Sequence, residues 1–193
     1  MTLKIFVGMT MARIYQTFFA AYWPDRPDRL SIGAMGLLLA YIAWKMAFTG
    51  WVFPLDNFTL AIHEAGHPIV GMLFGDRLMI YGGSLFQIVF PGIFAWYFLR
   101  EKNSLGYMFS ILWEAASLHN LGIYVADARD QILPLAGNGD RIHDWAEILG
   151  RWHLIGSCGF LGGCLAFVCW CLTGTCMVLL WQLWIEAPNQ QDI

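Results

Sequence analysis

Residues 58–74 read FTLAIHEAGHPIVGMLF, an apolar run interrupted at its centre by three ionisable side chains, His63, Glu64 and His67. The length and apolarity of this run predict a membrane-spanning helix, which needs about 20 predominantly apolar residues. In the whole chain, 58% of the residues are hydrophobic and only 13% are charged, whereas soluble domains carry about 25% charged residues. We therefore expect lipid, rather than water, to surround much of this protein.

Four other apolar stretches flank the central run, at residues 32–53, at 78–99, from 105 onward and within 154–185. Together with the central run they predict an all-α fold, a polytopic bundle of about five membrane spans. The glycine pair in Tyr81-Gly82-Gly83-Ser84 leaves open an extended or re-entrant segment just after the central helix.

The apolar stretches also predict the domain organisation. Residues 31–185 would form one membrane-embedded domain with a polar cytoplasmic loop at about 132–152. Residues 1–30 would form an interfacial segment, because Lys4 and Arg13 interrupt an otherwise apolar N-terminus and suit a helix lying on the membrane surface. Residues 186–193 would form a C-terminal tail.

Lysine and arginine are unevenly divided between the two predicted sides of the membrane. The side that holds the N-terminus and the 127–152 loop carries eight of them, namely Lys4, Arg13, Arg26, Arg29, Arg77, Arg129, Arg141 and Arg151. The other side carries Arg100 and Lys102. Because cytoplasmic loops are enriched in these residues, we predict a multi-pass protein whose N-terminus and 127–152 loop are cytoplasmic.

Two features of the composition argue against other classes of function. The net charge of −3 is small and spread along the chain, which predicts no nucleic-acid partner. All five cysteines lie in one apolar stretch, without the flanking histidines or turns of a structural zinc site, at Cys158, Cys164, Cys169, Cys171 and Cys176. We expect them to serve as small apolar residues of a membrane helix.

The HEAGH run carries the chemistry. Positions i and i+4 of a helix share one face, so His63 and His67 can offer two imidazole nitrogens to one zinc ion. Glu64 is then placed to act as a general base. Three ionisable groups within five residues of an apolar span are costly, and such groups usually mark a functional site.

A catalytic zinc site usually has three protein ligands, so one more is needed. The fourth apolar stretch carries a polar stripe that includes Asn120, Tyr124 and Asp127. If that helix continues to Pro134, Asp127 lies roughly 10 Å from its cytoplasmic end, a depth similar to the roughly 13 Å of His67. Asp127 is therefore the favoured third ligand. His143 and Asp144, after a glycine-containing loop, remain the alternative as ligands or as supporting residues.

The HEAGH motif in a membrane helix, the glycine-containing segment after it and a later helix with Asn120 and Asp127 resemble the site-2 protease family of intramembrane zinc metalloproteases, in its small single-domain form. The resemblance implies that Asp127 is a zinc ligand and that Asn120 contacts the substrate or the oxyanion.

The predicted function is hydrolysis of peptide bonds in or near membrane segments, with one zinc ion activating a water molecule and Glu64 as the general base. Asn120 or Gln87 would donate a hydrogen bond to the developing oxyanion. The substrate would be a membrane-embedded or juxtamembrane protein segment. Two alternatives stay open: a membrane zinc hydrolase that acts on a lipid, and a non-catalytic zinc-binding membrane protein.

Overall fold

The computed structural model of the protein describes residues 22–134 and 143–187. Within these ranges the chain forms helices and no strand, so the predicted all-α fold is confirmed. The helices are α1 (Arg29–Phe48), α2 (Leu55–Phe74), α3 (Asp76–Arg100), α4 (Ser104–Ala126), α5 (Asp144–Arg151) and α6 (Cys158–Glu186), with a 3-10 turn at Ile155–Ser157 before α6. Most of the predicted interfacial segment, part of the predicted loop and nearly all of the predicted tail lie outside the described residues.

Three of the helical segments are long and apolar enough to cross a membrane, namely α1, α3 and the segment Ile155–Glu186 that contains α6. They are 20, 25 and 32 residues long, and about 20 residues suffice to cross the hydrocarbon core. Helices α2 and α4 have 20 and 23 residues, but they also carry the polar side chains of the site described below. The structure is therefore that of a membrane protein by helix length and composition, while five spans and their orientation stay predictions.

Helix α3 is continuous from Asp76 to Arg100. The expectation of an extended or re-entrant segment after the HEAGH helix is therefore wrong. Gly82 and Gly83 are buried within this helix, where their missing side chains allow α2 to approach closely. A Cβ atom on Gly66 of α2 would contact the carbonyl oxygen of Gly82, and a Cβ atom on Gly82 would contact that of Gly66. The two glycines thus bring the HEAGH helix and α3 together.

Helix α4 lies at the centre of the bundle and packs against α1, α2, α3 and α6. Its residues Met108, Leu112 and Ala116 are almost completely buried, together with Ile42 of α1 and Cys169 of α6. All five cysteines are free thiols. This packing turns the polar residues of α4 toward protein rather than toward lipid.

The connections at the two ends of α4 place the elements of the site. Asn103 caps the start of α4 by accepting a hydrogen bond from the Gly106 amide at 2.7 Å. The helix ends at Ala126, well before Pro134. The short helix α5 begins after His143, whose ring accepts a hydrogen bond from the Ala146 amide, and it packs against α3, α4 and the 3-10 turn.

Candidate metal centre

The histidines of the HEAGH motif lie one helical turn apart on the face of α2 that packs against α3. Their ring centroids are 5.0 Å apart and the rings are inclined at 76°. The His63 side chain is 8% exposed and the His67 side chain is 19% exposed. The close contact of Gly66 with Gly82 brings α3 near enough for both rings to hydrogen-bond to it.

Helix α3 fixes the orientation of both imidazole rings. The Nδ1 atom of His63 lies 3.0 Å from Oε1 of Gln87, and the Nδ1 atom of His67 lies 3.0 Å from the carbonyl oxygen of Met79. Because both partners are hydrogen-bond acceptors, each Nδ1 atom donates a proton. In the neutral rings, the free lone pairs are therefore on Nε2, which is the state that binds a metal.

The Gln87 side chain is itself held in place. Its Nε2 group donates a hydrogen bond of 2.9 Å to the carbonyl oxygen of Ser117 on α4. This bond directs Oε1 of Gln87 toward His63, so three helices cooperate in orienting one ring. Gln87 was expected to donate to an oxyanion, but its amide protons point to Ser117, and its place is beside the His63 ring.

Asp144, the first residue of α5, completes the group. Its Oδ2 atom lies 3.1 Å from Nε2 of His63 and 3.2 Å from Nε2 of His67. Within residues 22–134 and 143–187, these three side chains form a group whose ligand atoms all lie within 4.8 Å of one another. Tetrahedral zinc with bonds of about 2.0–2.1 Å separates its ligand atoms by roughly 3.3 Å. The residues present therefore fit a metal ion held by two imidazoles and one carboxylate.

Gly83 leaves room beside the three ligand atoms. A Cβ atom at this position would contact Nε2 of His63 and lie 2.6 Å from Nε2 of His67. A side chain on Gly83 would thus occupy the space on which both lone pairs converge. The glycine pair, which left open an extended or re-entrant segment, instead lies within α3 and provides close helix contact at Gly82 and close contact with both imidazoles at Gly83.

The charge state of Asp144 suits a metal ligand. Burial alone would raise the pKa of its carboxyl, but in the metal-free chain protonated His63 and His67 rings donate hydrogen bonds to it, and these bonds and the ring charges outweigh burial and lower the pKa to about 2. The carboxylate is therefore ionised at neutral pH and ready to coordinate a cation.

Asp127, the favoured third ligand of the sequence analysis, does not belong to this group. The physical reason is the end of α4 at Ala126, which removes the condition that the helix continue to Pro134. The Asp127 carboxylate instead accepts hydrogen bonds from the backbone amides of Ile132 and Leu133, both at 3.0 Å. The structure instead brings Asp144, the alternative that the sequence had left open, to the two histidines.

Most of the remaining predicted site residues lie around one cavity of about 740 Å³, which opens beside the three side chains of the group. Glu64 and Asn120 line it together with His63, His67 and Asp144. His143 does not, because its side chain is buried against Tyr124, with the two rings stacked 4.2 Å apart. Its imidazole therefore supports α5 and is not a member of the ligand group.

Sequence reasoning missed Tyr124 and Gly83 as parts of the site. Tyr124 was noticed only as a member of the polar stripe on α4, and its hydroxyl accepts a hydrogen bond of 3.0 Å from the Asp144 amide. A signal was present in the sequence, since a polar stripe that continues into a turn needs a partner element, and the polar residues His143 and Asp144 follow it in the chain.

Comparison of the chain with models of protein families, with curated proteins and with solved structures finds no match.

Proposed function

We propose that this protein is a zinc metalloprotease of the membrane that hydrolyses peptide bonds in or near membrane segments. His63, His67 and Asp144 would hold the zinc ion and Glu64 would be the general base. The observation that carries the proposal is the convergence of two Nε2 lone pairs and one carboxylate oxygen in a cavity that Glu64 also lines. The HEAGH motif resembles that of the site-2 protease family, which supports the same reaction.

The number of ligands favours catalysis over a structural zinc site. Structural sites are closed by four protein ligands, whereas catalytic sites use three and leave one position for water or substrate. Among the residues that the structure describes, the group contains three members. The adjoining cavity, which His63, His67 and Asp144 line, gives water and substrate access to it.

The proposed chemistry divides between the metal and the chain. A zinc ion bound here would polarise the scissile carbonyl and lower the pKa of a water molecule to about 7. Glu64 takes up the proton of the attacking water and delivers it to the leaving amine. Gln87 and the Met79 carbonyl keep the two imidazoles in the tautomer that leaves Nε2 free. Asn120 lines the cavity and is the candidate donor to the substrate carbonyl.

The cavity fits a peptide segment better than a lipid head group. Its volume lies within the range of about 300–1,000 Å³ that is usual for ligand sites, and Leu60, Met79 and Ile80 give it apolar walls. Arg151 also lines the cavity, but Glu147 lies 2.8 Å from it, and the further acids Glu64, Asp76 and Asp144 line the same cavity, which disfavours a phosphate. The substrate we propose is therefore a membrane-embedded or juxtamembrane protein segment.

The test is cleavage of single-span model peptides by the full chain in phosphatidylcholine vesicles, with the metal content measured on the same samples. We expect the wild type to contain about one zinc ion per chain and to release peptide fragments. Glu64→Gln removes the base but no ligand, so it should keep zinc and lose cleavage by at least about 100-fold. Glu101→Gln, in the exposed turn between α3 and α4, is the matched control and should behave as the wild type.

Three results would contradict the proposal. Undiminished cleavage by Glu64→Gln would remove Glu64 from the mechanism. Release of fatty acid from the vesicles, instead of peptide fragments, would identify a lipid hydrolase. Zinc binding without either product would leave a non-catalytic zinc protein.

A further inference from the structure

The proposed third ligand lies on the element of the site that is least able to hold its own position. Asp144 is the first residue of α5, which has only eight residues. Isolated helices shorter than about 12 residues are marginal in water, so α5 depends on tertiary contacts. The position of the Asp144 carboxylate must therefore be set by side chains of other elements.

We propose, on the basis of the metalloprotease function above, that Tyr124, His143 and Asp127 form a clamp that positions Asp144. They are positioning residues, since none of them belongs to the ligand group. The clamp links the end of α4 to the start of α5 through contacts that run from Asp127 to His143, and from His143 and Tyr124 to the first turn of α5.

Tyr124 contributes the contact nearest to the ligand. Its hydroxyl oxygen accepts a hydrogen bond of 3.0 Å from the backbone amide of Asp144. Its ring centroid also lies 6.1 Å from that of His63, in an edge-on arrangement. Tyr124 thus contacts one histidine ligand and holds the backbone of the third ligand, which fixes the distance between them.

His143 closes the first turn of α5. Its Nδ1 atom accepts a hydrogen bond of 3.2 Å from the Ala146 amide, so the neutral ring carries its proton on Nε2. The ring is stacked on Tyr124 at a centroid distance of 4.2 Å and its side chain is 1% exposed. Stacking and burial leave this ring little freedom, and the cap that it forms satisfies one of the free amides at the helix start.

Asp127 supplies the far end of the clamp. Its Oδ2 atom lies 3.5 Å from Nε2 of His143, so the carboxylate faces the N–H group of the neutral ring without forming a short hydrogen bond. Both carboxylate oxygens also bind backbone amides of the turn at Ile132 and Leu133. Asp127 therefore keeps the turn after α4 beside the His143 ring, which explains a largely buried carboxylate near the site that lies outside the ligand group.

The clamp is tested by zinc affinity and by hydrogen exchange on the full chain in detergent. Asp127→Asn keeps the size of the side chain and removes its charge, and Tyr124→Phe keeps the ring and removes the acceptor for the Asp144 amide. Asp130→Asn, three residues on and exposed, is the matched control. Zinc affinity is measured by competition with a chromophoric chelator, and the ligand set by the visible spectrum of the cobalt-substituted protein.

We expect Asp127→Asn and Tyr124→Phe to weaken zinc binding about 10–100-fold, as is usual for residues that orient metal ligands. Both variants should still take up one ion at saturation with an unchanged cobalt spectrum, and Asp130→Asn should bind as the wild type. Affinity equal to that of Asp130→Asn would overturn the clamp. A lost site or a changed spectrum in Asp127→Asn would make Asp127 a ligand and also overturn it.

Hydrogen exchange separates this proposal from the metalloprotease function. In metal-free protein, the amides of residues 144–149 should exchange faster in Asp127→Asn than in Asp130→Asn. If these amides exchange faster in Asp127→Asn but the wild-type protein binds no zinc, the clamp is supported and the proposed function is contradicted. Unchanged exchange would overturn the clamp, whether or not zinc binds.

Discussion

The α2–α3 pair and helix α5 both supply ligands to the candidate metal centre, but they are held in different ways. Helices α2 and α3 have 20 and 25 residues and meet backbone to backbone at Gly66 and Gly82. Helix α5 has eight residues and is attached through side chains, such as Trp145, whose indole donates a hydrogen bond of 3.0 Å to Ser84. Two of the proposed ligands thus lie on closely packed long helices, and the third lies on a short attached helix.

This difference indicates which contacts set the positions of the three side chains. In the α2–α3 pair, backbone packing brings the imidazoles to their partners on α3, and few substitutions are tolerated there because atoms are already in contact. On α5, several single hydrogen bonds share the task, so each should contribute modestly. Substitutions on the α2–α3 pair should therefore abolish the site, and those around α5 should weaken it in steps.

The largest effect is expected at Gly83. Alanine there would place a Cβ atom against Nε2 of both His63 and His67, and it should abolish zinc binding. Gly92→Ala on the same helix, where a Cβ atom meets nothing within 4 Å, should leave zinc content unchanged. The measurement is metal content after dialysis, with thermal unfolding to show that both variants fold. Full zinc content in folded Gly83→Ala would contradict the expectation that substitutions on the α2–α3 pair abolish the site.

A smaller effect is expected at Gln87, which orients His63 without touching the ligand position. Gln87→Met keeps the length but removes the acceptor for His63 Nδ1, and it should weaken zinc binding about 10–100-fold. Gln87→Glu keeps an acceptor oxygen and should recover much of that loss. Chelator competition measures both. Equal affinity of the two variants would mean that packing, rather than the hydrogen bond, explains the role of Gln87.

The smallest effect is expected at Trp145, which attaches α5 to α3. Trp145→Phe removes one indole hydrogen bond, worth about 1 kcal/mol or roughly a fivefold loss of zinc affinity. Trp113→Phe removes a similar bond, the 2.9 Å contact with Thr59 between α4 and α2, and serves as the matched control. It should lower the unfolding temperature while zinc affinity stays within about twofold. Unchanged zinc affinity in Trp145→Phe with weakened affinity in Trp113→Phe would show that the Trp145 hydrogen bond does not position α5.

The same difference explains how much of the molecule could be predicted from its sequence. The helical fold followed from apolar stretches, and the pairing of His63 with His67 followed from helical periodicity, because both are local properties of the chain. Asp144 reaches the site from 81 residues beyond His63, and no local pattern encodes that contact.

Two differences between the sequence-based expectations and the structure have specific physical causes. Asp127 was favoured because the polar stripe of α4 was extended past Ala126, and helix ends are set by capping contacts such as the Asp127 bonds to Ile132 and Leu133. The glycines at 82 and 83 left open an extended or re-entrant segment, but tertiary packing of Gly82 against Gly66 overrides their weak helix propensity. In both cases a long-range contact outweighs a local preference.

We propose that His63, His67 and Asp144 hold one zinc ion. The most direct measurement is the zinc content of the purified full chain with Asp144→Ala or with Asp127→Ala, at saturating zinc and after removal of excess metal. We predict about one zinc ion per chain in the wild type and in Asp127→Ala, and almost none in Asp144→Ala. Zinc retained by Asp144→Ala and lost from Asp127→Ala would contradict the account.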